Sequence, residues 1–109
     1  MAGNKDFGKH LKHLRETKGF SQEQLAELVG LEYQTISRIE TGFYFTSFDN
    51  LQKISKALGL TIKDLFDFPE NEPTKAQLLK LITKDIKNFD TKDLKNIYKM
   101  ICIYRECKK

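Results

Sequence analysis

The stretch from Ser21 to Gly42 reads SQEQLAELVGLEYQTISRIETG. Ser21 with Gln24 three residues later forms a capping box, in which two backbone donors at a helix start are satisfied reciprocally. Gly30 stands where that helix must stop and the chain must turn sharply, a conformation that glycine adopts without a Cβ clash. Small Ala26 lets a second helix approach closely, and Leu25, Leu31, Ile36 and Ile39 supply its inward contacts. Two helices joined by such a turn make a helix-turn-helix.

The same signals extend outward in both directions. Ser47 with Asn50 and Thr61 with Asp64 are further helix starts, and Gly19, Gly42 and Gly59 join Gly30 as stops. They predict helices over 5–18, 21–29, 32–41, 47–58 and 61–67, with Phe7, Leu11 and Leu14 at helical spacing. No segment alternates with period two, so no sheet is expected. Pro69 and Pro73, the two prolines of the chain, bracket a linker over 69–73. Beyond it Thr74 with Gln77 starts a sixth helix with Leu78, Leu79, Ile82, Ile86 and Phe89 on its apolar face. Asp90 or Thr91 starts a seventh, with Leu94, Ile97, Tyr98, Ile101 and Tyr104 on one face. The expected fold is all-α: a five-helix domain over 1–68, the linker, and a two-helix hairpin over 74–109.

Charge is divided unevenly between these parts. Residues 1–68 carry 9 Lys+Arg against 9 Asp+Glu, whereas residues 69–109 carry 10 against 6, which accounts for the whole net charge of +4. Without a long apolar run or an apolar N-terminal leader, the chain is expected to be a soluble cytoplasmic protein with no membrane partner. Cys102 and Cys107 lie far from His10 and His13, so neither a disulfide framework nor a metal site is expected, and both thiols read as reduced. The chain has no Gly-rich phosphate loop, no HExxH and no clustered carboxylates on one face, so no catalytic residue and no cofactor are expected, and an enzyme is excluded. About 35 residues of hairpin also leave little room for a small-molecule pocket of several hundred Å³.

LRETKGFSQEQLAELVGL, then ISRIETG, then LQKISKALGLTIKDLF, occurring in that order, resemble the phage repressor and Cro-type helix-turn-helix domains of the xenobiotic-response-element family over residues 7–67. The resemblance implies a DNA-binding transcriptional regulator whose second motif helix lies in the major groove. It places Tyr33, Gln34, Ser37 and Arg38 at base edges, with Glu32 at the rim. Gln suits adenine N6/N7 and Arg suits guanine O6/N7. It also places Gln22 on backbone phosphate, beside a positive helix N-terminus, with Thr35 and Lys18 as further phosphate contacts. Arg15 and Glu40 look like candidates for DNA contact and catalysis, but the resemblance implies that they pair with each other as scaffold. Gln34 and Arg38 also suit an ordinary solvated helix face, and His10 and His13 are expected to face solvent or DNA.

Three departures from the family pattern bear on binding. Glu32 stands where Ser or Thr often caps the recognition helix. The following loop is Phe43-Tyr44-Phe45-Thr46, where many relatives carry phosphate-binding Lys or Arg. Phe45 is expected to pack under the fourth helix near Phe48, while Phe43 and Tyr44 are left open between packing and a dimer contact. The third departure is the net neutrality of 1–68, which leaves steering to local lysines at 5, 9, 12 and 18 and to the basic tail.

Two-fold operators require two copies of the reader. The hairpin supplies apolar surface for a homodimer through Leu78, Ile82, Ile86, Leu94, Ile97 and Ile101, or else folds back on its own domain. Its lysines read as a solvated face rather than a second DNA site. The expected function is a sequence-specific, homodimeric regulator of double-stranded DNA, repressing where its operator overlaps a promoter. The alternative is an antitoxin-like or controller-type protein whose tail helices bind a protein partner while the first domain regulates its own gene.

Overall fold

In a computed structural model of the chain, which describes residues 3–68 and 73–107, seven helices follow one another and no strand occurs among those residues. They are α1 (Asn4–Thr17), α2 (Gln22–Val29), α3 (Tyr33–Glu40), α4 (Phe48–Ala57), α5 (Ile62–Phe66), α6 (Lys75–Ile86) and α7 (Thr91–Glu106). The expected linker lies outside the described residues except for Pro73.

Each start signal read from the sequence closes in atomic detail. The Ser21 hydroxyl accepts from the Gln24 N–H at 3.0 Å while Gln24 Oε1 accepts from the Ser21 N–H at 2.8 Å. Thr61 with Asp64 and Thr74 with Gln77 form the same reciprocal pair, and Ser47 accepts from the Asn50 N–H. At the seventh helix it is Asp90, one of the two expected caps, that accepts from the Asp93 N–H at 2.8 Å. Helices α2 to α5 begin one residue after their caps, and α3 to α5 also end one residue short of expectation, whereas α1 keeps its expected length but starts one residue earlier, at Asn4.

The chain divides into two compact units, one of residues 1–69 with 107–109 and the other of residues 70–106. The first has a complete core. Leu11, Leu25, Ile36, Ile39, Leu51, Ile54 and Leu65, drawn from all five of its helices, are fully buried. Leu31, Leu14 and Phe48 pack against them half-buried. The second unit contains α6 and α7 and has no buried residue in either helix.

One close approach governs how α1 meets α3. Gly8 is buried inside α1, and a Cβ there would collide with the backbone carbonyl oxygens of Ile39 and Glu40 at the end of α3. Backbone atoms cannot swing aside as a side chain can. Gly8→Ala gains about 0.5–1 kcal/mol of helix propensity, but overpacking costs typically 1–3 kcal/mol. The substitution is therefore expected to destabilise the protein, with thermal unfolding shifted down by several degrees; an unchanged or raised midpoint would show that α1 and α3 can separate freely.

Candidate nucleic-acid interface

The turn between α2 and α3 depends on Gly30, whose φ is +72°. With the backbone in this left-handed conformation, the Leu31 N–H reaches back to the Ala26 carbonyl at 2.9 Å and ends α2 within one residue. Glu32 then takes the N-cap position of α3 without a side-chain bond to the helix; its carbonyl accepts from the Thr35 N–H at 3.0 Å. The carboxylate replaces the hydroxyl cap noted as a departure in the sequence and stands exposed.

Helix α3 is divided by its periodicity into two faces. Ile36, Ile39 and Glu40 are buried. Tyr33, Gln34 and Arg38 are exposed and Ser37 is half-buried, and their i, i+3 and i+4 spacings set them on one face. The four side chains expected at base edges are thus presented together. Thr35 is half-buried on the flank of the helix, and exposed Lys18 lies at the C-cap of α1, outside the two-helix motif.

Behind this face lies a buried ion pair. Arg15 Nε donates to Glu40 Oε2 at 2.7 Å and Arg15 Nη2 to Glu40 Oε1 at 3.0 Å, a two-pronged contact between α1 and α3. Arg15 Nη1 donates to the Phe20 carbonyl at 2.7 Å, and Gln22 Nε2 donates to Glu40 Oε1 at 3.0 Å. The hydrogen bonds that Arg15 donates to the Glu40 carboxylate raise its pKa against the opposing effect of burial, with Glu40 and Glu16 adding Coulombic support. A raised guanidinium pKa stabilises the fold at every pH below the unfolded value and is lost only as pH rises through the folded one. The contribution is therefore constant across the neutral range.

Gln22 has a second role that the sequence did not disclose. Its side-chain amide, assigned to phosphate by resemblance, holds Glu40 with one of its two hydrogens. The other hydrogen and the N–H groups at the start of α2 are what it can offer to an anion.

His10 departs from expectation. Rather than facing solvent or DNA, it is half-buried, with Nε2 2.8 Å from the Asp64 carbonyl oxygen and its ring 5.2 Å from that of Phe68. His13 is exposed. Phe45 packs against Phe7 of α1, edge to face at 5.1 Å, with Phe66 against the same Phe7 ring at 5.3 Å. Phe43 projects into solvent at 79% exposure, and Tyr44 is half-buried. Among the described residues no cluster of His, Cys, Asp or Glu could hold a metal ion, and no helix is long and apolar enough to cross a membrane.

The family model described as "Helix-turn-helix" matches residues 11–65, from the middle of α1 to the core leucine of α5. The chain belongs to this family. Control protein C.BamHI of Bacillus amyloliquefaciens is 48% identical over 63 residues, covering 57% of this chain and 78% of that protein. HTH-type transcriptional regulator PuuR of Escherichia coli is 38% identical over 72 residues, covering 66% of this chain but only 38% of PuuR. Among solved structures, the restriction-modification controller protein C.AhdI from Aeromonas hydrophila matches with a TM-score of 0.57 and 38% identity, over 58% of this chain and 96% of that one. SinR, a master regulator for biofilm formation solved in complex with DNA, matches with a TM-score of 0.53 and 32% identity over 56% of this chain and 98% of that one. These relatives are named as transcriptional regulators and control proteins.

Removing one partner of a buried pair strands the other charge in the interior, a loss of roughly 3–5 kcal/mol. Glu40→Ala is expected to lower the unfolding free energy by an amount in that range, measured by urea denaturation followed by circular dichroism. A loss below about 1 kcal/mol, typical of exposed pairs, would show that water already reaches Arg15.

Proposed function

We propose that this protein is a sequence-specific DNA-binding transcriptional regulator that acts as a homodimer in the cytoplasm, reading bases through the outer face of α3. The observation that carries the reading is the division of α3. Ile36, Ile39 and Glu40 are consumed by the fold, whereas Tyr33, Gln34, Ser37 and Arg38 stand together on the opposite side with no structural task. The geometry of a helix-turn-helix directs that side into the major groove. Gln34 and Arg38 then meet adenine and guanine edges, each bidentate contact supplying about 1–3 kcal/mol of discrimination. Gln22, Thr35 and Lys18 hold phosphate and set the register. Likeness to SinR, solved with DNA, supports the groove assignment.

Likeness to C.BamHI and C.AhdI favours a controller-type circuit in which the protein acts on its own gene. Repression follows where the bound site overlaps a promoter, because the protein then excludes polymerase.

The test is a binding titration of the full chain against the DNA upstream of its own gene and against a scrambled duplex, each at two salt concentrations. Counterion release lowers both affinities by about 0.9 log units per log unit of salt for each phosphate contacted, and base readout adds a gap between them. Gln34→Ala or Arg38→Ala is expected to shrink that gap by about 1–3 kcal/mol per residue, while Gln22→Ala weakens both duplexes equally. Equal losses on the two duplexes for the α3 variants would remove base reading from these side chains.

A further inference from the structure

Helix α3 ends in a turn that ties its last base-facing residue to the loop behind it. Gly42 adopts the left-handed conformation with φ +79°. Its N–H donates to the Ile39 carbonyl at 3.1 Å, and the Phe43 N–H donates to the Arg38 carbonyl at 2.9 Å. This pair of bonds is the Schellman arrangement, in which the residue after the glycine folds back over the residue whose carbonyl it bonds, and the two side chains commonly touch. The Thr41 hydroxyl donates to the same Arg38 carbonyl at 3.3 Å. Position 42 also lies against the start of α1, where a Cβ would collide with Cα and Cγ of Lys5, so the turn is held from both sides. The two residues that it joins are Arg38, exposed on the outer face of α3, and Phe43, the most exposed large apolar side chain among the described residues.

We propose that Phe43 is a positioning residue for base reading: its ring lies along the aliphatic stem of Arg38 and holds the guanidinium extended toward a guanine edge. The inference rests on the assignment of α3 to the major groove and names a residue outside α3 on which that reading depends. Register supports it first. The backbone bond sets Phe43 over Arg38, whereas Gln34 and Tyr33 lie about 6–7.5 Å further along the helix axis. Chemistry supports it next. A two-pronged contact to guanine O6 and N7 needs the planar fork of arginine in one orientation, although the stem that carries it has several rotatable bonds. An aromatic ring beside that stem covers its methylenes and attracts the guanidinium, so fewer rotamers compete with the extended one. The composition of the loop is the third support. Residues 41–48 read TGFYFTSF and contain no charged side chain, so the segment has no cation to offer to phosphate. What Phe43 contributes there is apolar surface and the face of its ring.

Nuclear magnetic resonance of the full chain with carbon-13-labelled arginine tests the contact without DNA. The arginines are Arg15, Arg38 and Arg105 alone, so the Arg38 side-chain signals are readily assigned. Their Hγ and Hδ protons are expected to be shifted upfield by the ring of Phe43, to lose that shift in Phe43→Ala and to keep it in Phe43→Tyr. Arg38 signals that ignore Phe43→Ala would overturn the inference. The second arm is a titration of native and scrambled duplexes at two salt concentrations. Phe43→Ala is expected to shrink the gap between them by about three- to tenfold, the scale of one cation–π contact, and Phe43→Tyr to restore it. Affinity for the scrambled duplex, its salt slope and the unfolding of α1–α5 should not change. In an Arg38→Ala chain the same substitution should have no further effect, whereas in a Gln34→Ala chain it should act in full. A loss that persists without Arg38 would show the ring meeting DNA directly, and an equal loss on both duplexes would make it a backbone contact; either result overturns the inference. A native chain with no gap between the duplexes would reject base reading itself and this role of Phe43 with it, while the arginine signals would still report whether the ring holds the stem.

Discussion

The buried contact of Arg15 with Glu40 is the constraint on which the first five helices depend. A guanidinium and a carboxylate in the interior lose most of their mutual attraction to desolvation, so the pair adds little net stability over an apolar substitute. Its effect is on arrangement. Once both charges are inside, each must find the other, and only one setting of α1 against α3 allows two bonds of 2.7 and 3.0 Å. Gly8, Leu11 and Arg15 recur at three and four residues along α1 and therefore share the face turned to α3. The missing Cβ at Gly8 permits the close approach that brings Arg15 within reach. Gln22 and the Phe20 carbonyl add bonds from the start of α2 and the chain just before it, so three helices meet at one carboxylate.

The consequence for recognition is a division of labour within eight residues. Glu40 is drawn inward with Ile36 and Ile39, and this fixes the rotation of α3 about its axis. Tyr33, Gln34, Ser37 and Arg38 then have a single side left to occupy. Two arginines in one domain illustrate how context assigns chemistry: Arg15 is buried, paired and raised in pKa, whereas Arg38 is exposed on α3. The planar fork that grips Glu40 in one case is available for a guanine edge in the other.

The two units solve the same physical problem differently. In the first, amphipathic helices cover one another, and the core closes without help from elsewhere. In the second, α6 and α7 have equally regular apolar spacing but contain no buried residue. Sequence periodicity reads alike in the two cases. What differs is the number of neighbouring faces that the chain itself provides.

Local signals were enough for most of the architecture. The caps at Ser21, Ser47, Thr61 and Thr74, the turn at Gly30 and the apolar spacing of each helix act between residues one to four apart, so they are written directly in the order of side chains. The pairing of Arg15 with Glu40 and the choice of residues on the exposed side of α3 were legible only through resemblance to a known family. Contacts that span the fold left no such trace. His10 meets the Asp64 carbonyl across 54 residues, Gln22 meets Glu40 across 18, and the Phe45 ring meets that of Phe7 in α1. A glycine inside a helix such as Gly8 was the one visible hint, since its cost in helix stability calls for a packing reason. Which distant groups come together depends on the directions in which whole helices are aimed. Those directions arise from the joint packing of every buried side chain, and no window of sequence contains them.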